Sequence, residues 1–195
     1  QRGYVWTLTK QVGPLWADIE DRAKKLREHD AQAAQVGQQP LRPVQKHFLG
    51  SVVLTPVPGA FGRVPSFEVI DGQQRLTTLQ LLFCAYRDIA RANEWKTLDR
   101  TTTRYLENAD ADVMEKPDEE LFKLWPTTLN RDAFRSVVSA GSPEEVSKRH
   151  PLVYLPRKRK PEPRSNLAEG YLYFSKMISA WIDASAAEFS KTREE

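Results

Sequence analysis

Apolar residues recur every three or four positions in several stretches of the chain, the spacing that gives a helix one apolar face. The first stretch covers residues 10–36, and the second begins at Gln73 and ends near Asn93. Three further helices are predicted at 119–124, 131–140 and 167–189. The C-terminal half of the chain is therefore predicted to be rich in helix.

Short apolar runs predict the strands. His47 to Thr55 and Phe67 to Ile70 have this character, and a loop rich in proline and glycine separates them. The β-branched residues within 101–106 indicate that a strand pair starts between Asn93 and Arg104. Together with the helices, these strands predict an α+β domain with a small sheet.

The turn between the second strand and its following helix concentrates polar groups. Within eight residues it supplies a carboxylate, two amides, a guanidinium and two hydroxyls, from Asp71, Gln73, Gln74, Arg75, Thr77 and Thr78. A helix N-terminus leaves backbone N–H groups without partners and carries about half a positive charge. Gly72 lets a ligand approach the backbone, and Arg75 adds a fork of donors. The turn therefore suits an anion, with phosphate as the favoured candidate.

The same turn has a structural interpretation. Asp71 and Gln74 are three positions apart, which is the spacing of a capping box. In that case Asp71 only caps the helix, and Gly72 only relieves a tight turn. The pattern of the turn alone leaves both interpretations open.

Composition indicates a globular protein of one domain, or of one domain with an appendage. The chain has 195 residues, of which 40% are apolar and five are tryptophan. No apolar run approaches the roughly 20 residues needed to cross a bilayer, so we expect no membrane association. Cys84 is the only cysteine, which fits a reducing cytoplasm. The chain begins at Gln1 without a methionine, so we expect it to be a piece of a longer protein.

Positive charge is concentrated between Lys148 and Arg164, although the net charge of the chain is only +3. Four prolines interrupt this stretch, which predicts a loop or an extended arm rather than a helix. A basic arm can contact DNA phosphates and release their counterions, and it can also be a solvated surface loop. The candidate DNA contacts in the arm are Arg157, Lys158, Arg159 and Lys160.

Residues Ile70 to Leu79 (IDGQQRLTTL) resemble the signature of the DUF262 family, the N-terminal domain of GmrSD-type, modification-dependent restriction systems. Other blocks agree with this family in order and spacing as far as about position 135. They are Gln1 to Trp6, Leu15 to Ile19, His47 to Leu54, Lys123 to Thr127 and Asn130 to Phe134.

The resemblance implies a ParB/sulfiredoxin-like core, with a small mixed sheet, surrounding helices and a helix-rich C-terminal half. It also implies a nucleotide-hydrolysing sensor of modified or foreign DNA. Such domains sit ahead of an HNH-type nuclease domain, in cis or in trans, which does the cutting. The modifications read by this family include sugar-decorated bases and phosphorothioate backbones. We therefore expect DNA, NTP (ATP or GTP before others) and Mg²⁺ as ligands, and we leave a homo-oligomer open.

On this resemblance the turn becomes the nucleotide site. Arg75 would grip a phosphate oxygen, while Asp71 would hold Mg²⁺ or position a water. Gln73 and Gln74 would orient that water or read the nucleotide. The catalytic candidates are thus Asp71, Gln73, Gln74 and Arg75, with Asp71 as the metal ligand. The nucleotide-binding candidates are Gln1, Arg2, Gly72, Arg75 and Thr77, although Thr77 and Thr78 also suit a purely structural role.

Three other residues have two interpretations each. Tyr4 and Trp6 are candidates for a pocket that stacks on a DNA base or a modified group, and they also suit the core. His47 is a candidate catalytic base, although a lone histidine at the start of a strand is more often structural. The chain shows no nuclease motif and no Walker A loop, so we do not expect it to cut DNA.

We divide the chain into a sensor domain at 1–140, the basic proline-rich arm at 141–166 and a C-terminal helix at 167–195 that packs on the same domain. The missing N-terminal segment and the nuclease domain would lie outside this sequence. Two functions remain. One is a nucleotide-hydrolysing sensor that gates a nuclease, and the other is a DNA-binding or protein-interaction module in which the turn is only a helix cap. A toxin–antitoxin or ParB-like DNA-loading partner is a weaker third option.

Overall fold

Two long helices form the centre of the fold and pack against each other. They are α2 (Gln73–Ala92) and α7 (Asn166–Glu194). The structure is a computed structural model and describes residues 3–36, 44–59, 64–109, 111–155 and 161–194. Among the described residues, no helix is long and apolar enough to span a membrane.

The remaining elements are shorter, apart from the first helix. A π-helical turn, Leu8–Val12, leads into α1 (Gly13–Val36). Strands β1 (Val53–Val57) and β2 (Ser66–Asp71) then precede α2. After α2 come α3 (Lys96–Leu106), α4 (Pro117–Glu120), α5 (Arg131–Val138) and α6 (Pro143–Arg149), with short 3₁₀ turns at Ala111–Val113 and Thr128–Asn130.

The core lies where α2 and α7 meet α5 and α6. Its largest fully buried side chains include Leu81 from α2, Phe134 from α5, and Tyr171 and Phe174 from α7. Gly170 permits the close approach of α7 to α2, because a Cβ at this position would lie 3.2 Å from Leu81 Cδ1. The apolar faces that the sequence periodicity predicts for these helices therefore pack against one another.

A buried polar network links α2 to α7 within this core. Asp88 accepts a 2.7 Å hydrogen bond from the Tyr171 hydroxyl and a 2.8 Å bond from Arg87 Nε. Arg87 also donates to the carbonyl of Val138 at 2.6 Å and contacts Glu107 at 3.2 Å. Burial, assisted by the charge of Asp88, raises the pKa of the Tyr171 hydroxyl well above its ordinary value. The network holds α2 in one position against its neighbours, because only this packing gives the buried charges of Arg87 and Asp88 their partners.

The two described strands form an antiparallel hairpin that projects from the helices. The register pairs Val53 with Asp71 and Leu54 with Val69, with an irregularity between these pairs. Most side chains of the hairpin are exposed, including apolar ones such as Phe67 and Ile70. The hairpin delivers its last residue, Asp71, directly to the N-terminus of α2.

The α+β class and the helix-rich C-terminal half are confirmed. The periodic stretches at 10–36, 73–93, 131–140 and 167–189 correspond to helical segments of the structure. The described sheet is an antiparallel pair. The ParB/sulfiredoxin-like comparison and the division of the chain into three parts stay predictions.

Four local predictions are wrong. Residues 101–106 belong to helix α3, because Thr102 and Leu106 are buried on its inner face. Packing against α2 overrides the β-branched character of the three threonines. The strand predicted from His47 begins only at Val53, since Gly50 has a φ of +94°. The helix predicted for 119–124 is confined to α4. The first part of the basic stretch is helical, because Ser142 caps α6 and Lys148 and Arg149 lie in its last turn.

Candidate functional site

The turn that leads into α2 is shaped by Gly72. This residue is the N-cap of the helix and has a φ of +96°, a left-handed conformation that glycine adopts without strain. A Cβ at Gly72 would lie 3.0 Å from Val52 Cγ2, so the space is also tight. In the described part of the chain, no side chain makes a cap hydrogen bond to the N-terminus of α2. The capping-box interpretation is therefore wrong for this structure, and the backbone N–H groups of the first turn lack intrahelical partners.

Asp71 pairs with Arg75 instead of capping the helix. The Arg75 Nη2 atom lies 3.2 Å from Asp71 Oδ2, and Nη1 donates to the carbonyl of Leu49 at 3.3 Å. These contacts use one donor from each terminal nitrogen, and a guanidinium carries five N–H donors. The side chain of Asp71 is 68% exposed and that of Arg75 is 25% exposed. Donors of Arg75 and oxygens of Asp71 are thus still accessible to a ligand.

Gly50 makes the position of Arg75 possible. Its φ is +94°, and a Cβ built on it would lie only 1.7 Å from Arg75 Nη1. Any other residue at position 50 would have to displace the guanidinium. The side chain of Arg75 therefore joins the segment at His47 to Gly50 to the turn at 71–75.

Gln74 holds the opening segment of the chain. Its side-chain oxygen accepts from the backbone N–H of Val5 at 2.9 Å, and its Nε2 donates to the carbonyl of Gly3 at 3.1 Å. Between these two contacts, the N–H of Tyr4 donates to Asn130 Oδ1 at 2.7 Å. Backbone groups at 3–5 are thus secured by two amides that come from widely separated blocks of the sequence.

Tyr4 is part of the same support. Its side chain is buried, and its hydroxyl lies 2.7 Å from Thr78 Oγ1, which in turn donates to the carbonyl of Gln74 at 2.8 Å. Burial raises the pKa of Tyr4 to about 12, although the Thr78 hydrogen bond acts in the opposite direction. In this conformation Tyr4 faces the protein interior, as its alternative interpretation as a core residue requires. Thr78 bonds to its own helix, which is the structural role considered for one of the two threonines.

A cavity of about 240 Å³ opens beside Arg75. It brings together the opening segment, the π-helical turn and α1, the segment before β1, and α2. The side chains around it are those of Trp6, Lys10, Gln11, Pro14, Leu15, Asp18, His47, Phe48, Leu49, Arg75 and Leu79. Four of the blocks that carry the family resemblance therefore meet at one cavity, although they are far apart in the sequence.

The cavity combines an apolar wall with a small excess of positive charge. Lys10 and Arg75 contribute two cations, Asp18 contributes one anion, and the aromatic rings are those of Trp6 and Phe48. The volume is below the roughly 300–1,000 Å³ of a site that encloses a whole small molecule. The cavity can accept a phosphate chain or a single ring, with the rest of a nucleotide lying outside it.

His47 has an acidic partner that its sequence context did not reveal. Its Nε2 atom lies 3.4 Å from Asp18 Oδ2, and both side chains line the cavity that Arg75 borders. Asp18 lies on α1, far from His47 in sequence, so no local motif joins them. The one available signal was that both residues fall within blocks of the family resemblance.

The structure does not bring every predicted site residue to this cavity. Gln73 lies in the first turn of α2 and is half-buried, whereas Thr77 is buried at 1% exposure. Six other predicted contacts lie outside the described residues: Gln1, Arg2, Arg157, Lys158, Arg159 and Lys160.

The predicted magnesium site rests on a single carboxylate in the turn. Among the described residues, no group of three or more His, Cys, Asp or Glu side chains could hold a metal ion. Mg²⁺ bound with a nucleotide commonly takes only one or two protein carboxylates and otherwise uses phosphate oxygens and water. The exposed carboxylate of Asp71 fits that pattern, because it lies beside the donors that would receive the phosphates.

Comparison with known proteins gives one match. Residues 1–193 match the family model described as the N-terminal domain of the GmrSD restriction endonuclease. Neither the search of curated proteins nor the search of solved structures gave a match.

Proposed function

The chain belongs to the family of GmrSD restriction endonuclease N-terminal domains, and from this premise we propose that it is a nucleotide-hydrolysing sensor. In this proposal an NTP binds at the turn formed by 71–75, and its hydrolysis gates a separate HNH-type nuclease. The restriction-system family carries the expectation of DNA and a nuclease partner. The nucleotide, its site and the form of DNA that is sensed are proposed here.

The observation that best supports a ligand site is the convergence of four sequence blocks on the cavity beside Arg75. Trp6, Asp18, His47 and Arg75 come from different blocks and line the same space. A turn with a purely structural role would not need an exposed carboxylate, a guanidinium with spare donors and a cavity beside that guanidinium. Such an arrangement is instead typical of a site for an anion.

The proposed roles follow from the contacts. Arg75 binds a non-bridging phosphate oxygen with donors that Leu49 and Asp71 do not use. The N–H groups of the first turn of α2, preceded by Gly72, complete the anion cradle. Asp71 would hold Mg²⁺, which when bound neutralises phosphate charge and aligns the nucleotide.

Gln73 and Gln74 have different proposed roles at this site. Gln73 is half-buried in the first turn of α2, where an amide can orient a water. Gln74 already uses its oxygen and its nitrogen on the backbone of Val5 and Gly3. We therefore assign Gln74 to holding Trp6 at the cavity, through the segment that precedes it.

DNA is the proposed signal. Trp6 lines the cavity. In this proposal it stacks on a base or on a modified group that reaches the cavity, because an aromatic face accepts any base. The basic stretch between Lys148 and Arg164 would contact phosphates without regard to sequence. Sugar-decorated bases and phosphorothioate backbones are the modifications to test.

A second candidate is a DNA-binding or protein-interaction module without hydrolysis. The observation in its favour is that Arg75 already donates hydrogen bonds to Asp71 and to the carbonyl of Leu49. In that case Arg75 joins the segment before β1 to α2, and its loss would reduce stability without removing a ligand.

Equilibrium binding of non-hydrolysable ATP and GTP analogues, with Mg²⁺, separates the two candidates. Arg75→Ala should abolish binding while the protein stays folded. The control is Arg91→Ala, because Arg91 lies on the same helix and pairs with Asp99 at 2.8 Å, away from the cavity. Equal affinity for Arg75→Ala and Arg91→Ala would reject the nucleotide site and favour the binding module.

A further inference from the structure

His47 and Asp18 form a histidine–carboxylate pair on the wall of the cavity that Arg75 borders. The 3.4 Å contact runs from Nε2 of the imidazole to Oδ2 of the carboxylate. A carboxylate at this distance can orient the imidazole ring through its Nε2 side. The other ring nitrogen, Nδ1, is then the candidate atom for a proton transfer.

The segment that carries His47 is tied to the proposed phosphate site. Arg75 Nη1 donates to the carbonyl of Leu49, and Gly50 packs against the same guanidinium. His47 lies two residues before this hydrogen bond. A phosphate held by Arg75 would therefore lie in the cavity that His47 also lines.

The other histidines have different surroundings. His29 contacts its neighbour Asp30 at 3.4 Å, and His150 lies 3.0 Å from Ser136 Oγ. Neither of them lines the cavity. His47 is therefore the histidine that combines an acidic partner with access to the proposed nucleotide site.

The charges around His47 come from several elements. Asp18 on α1 carries a negative charge, whereas Lys10 on the π-helical turn and Arg75 on α2 carry positive charges. Lys46 precedes it on its own segment. A general base takes a proton in the transition state and releases it afterwards.

We propose that His47 is the general base of nucleotide hydrolysis and that Asp18 is its positioning residue. This inference rests on the proposed function. A water oxygen forms a bond to the γ-phosphorus, and the bond between that phosphorus and the β,γ-bridging oxygen breaks. The nucleoside diphosphate leaves with that electron pair. One proton of the water passes to Nδ1 of His47, which then releases it to solvent.

The test compares His47→Gln, Asp18→Asn and the wild type in phosphate release with Mg²⁺ across pH. Removal of a general base typically costs about 10²–10⁴-fold in rate. We therefore expect His47→Gln to lower kcat by at least about 100-fold, with analogue affinity within about threefold of wild type. The low-pH limb of its rate profile should disappear. The matched control is His29→Gln, since His29 has a carboxylate partner at the same distance but lies outside the cavity.

Asp18→Asn tests the pair independently, because Asp18 is an exposed position whose change should leave the fold intact. Loss of the carboxylate should lower kcat while analogue affinity stays within about threefold of wild type. This split between rate and affinity decides the question even if His47→Gln fails to fold.

Several outcomes would overturn the inference. An unchanged kcat and pH profile in His47→Gln would reject His47 as the base, and an inactive Arg75→Ala alongside it would leave the proposed function standing. Loss of analogue affinity at unchanged kcat would assign His47 to binding. An unchanged kcat in Asp18→Asn would reject the pair. A wild type that neither binds nor hydrolyses nucleotide would reject both proposals.

Discussion

The substitution Gly50→Ala should displace the guanidinium of Arg75 without changing the arginine itself. The new Cβ would lie 1.7 Å from Nη1, whereas non-bonded heavy atoms are in favourable contact at about 3.5 Å. The guanidinium is the flexible end of a long side chain, so it should move aside by roughly 2 Å. That displacement breaks its hydrogen bond to Leu49 and changes its angle toward the cavity.

Gly50→Ala should have two effects, a loss of stability from the backbone and a loss of activity from the displaced side chain. A residue with a Cβ in the left-handed region costs about 1–2 kcal/mol, so the stability of Gly50→Ala should fall by about that much. The activity should fall because the displaced Arg75 loses a hydrogen bond, and a hydrogen bond to a charged group is worth about 1.5–3 kcal/mol. On the proposed function, this corresponds to a roughly 10- to 150-fold lower kcat/KM, at about 1.4 kcal/mol per factor of ten.

Gly141→Ala is the matched control. Gly141 also has a positive φ, +78°, but a Cβ there meets nothing within 4 Å. It should therefore lose similar stability in urea denaturation and keep its activity. The reasoning is refuted if the two variants lose activity equally.

Further predictions concern the core, the opening segment and the end of α6. Tyr171→Phe should lower the free energy of unfolding by about 1–3 kcal/mol in urea titration, since buried Asp88 loses a 2.7 Å donor; an unchanged midpoint would refute the role of the network. Gln74→Ala should increase hydrogen exchange at the backbone amides of residues 3–6 while leaving the centre of α7 protected, because both amide contacts are lost; unchanged exchange at 3–6 would argue against it. Cys84, whose pKa burial raises, should react with a thiol reagent only as the protein unfolds; rapid reaction in the native state would contradict its burial. Burial and nearby arginines lower the pKa of His150, so the unfolded state binds the extra proton. The stability that His150 contributes should be fully present above about pH 6.5 and be lost as pH falls through its folded pKa, a loss that His150→Gln should remove from a urea-denaturation series.

The helices could be predicted from the sequence, because their apolar faces form the core. The periodicity that begins at Leu76 continues through α2, and the one after 166 continues through α7. The prediction failed at 101–106, where local β-branched character competed with an inner helical face formed by Thr102 and Leu106. Burial against α2 decided the outcome, and no local pattern reports which neighbour will cover a short segment.

The candidate site, like the fold, was predictable where local sequence carries the meaning and was not predictable where it depends on tertiary contacts. Gly72 and Arg75 could be singled out because a glycine and an arginine at a strand–helix junction have a direct chemical meaning. The pairing of His47 with Asp18 could not be read, because it exists only once α1 packs beside the segment before β1. The support of Tyr4 by Thr78 is likewise a tertiary contact.

The most direct measurement is phosphate release from ATP, GTP, CTP and UTP with Mg²⁺ by the wild type, Arg75→Ala and Arg91→Ala. The account predicts turnover of at least one nucleotide by the wild type and by Arg91→Ala, and none by a folded Arg75→Ala. Turnover that survives in Arg75→Ala, or no nucleotide binding or turnover by the wild type, would contradict the claim that the turn at 71–75 is a nucleotide-hydrolysing site.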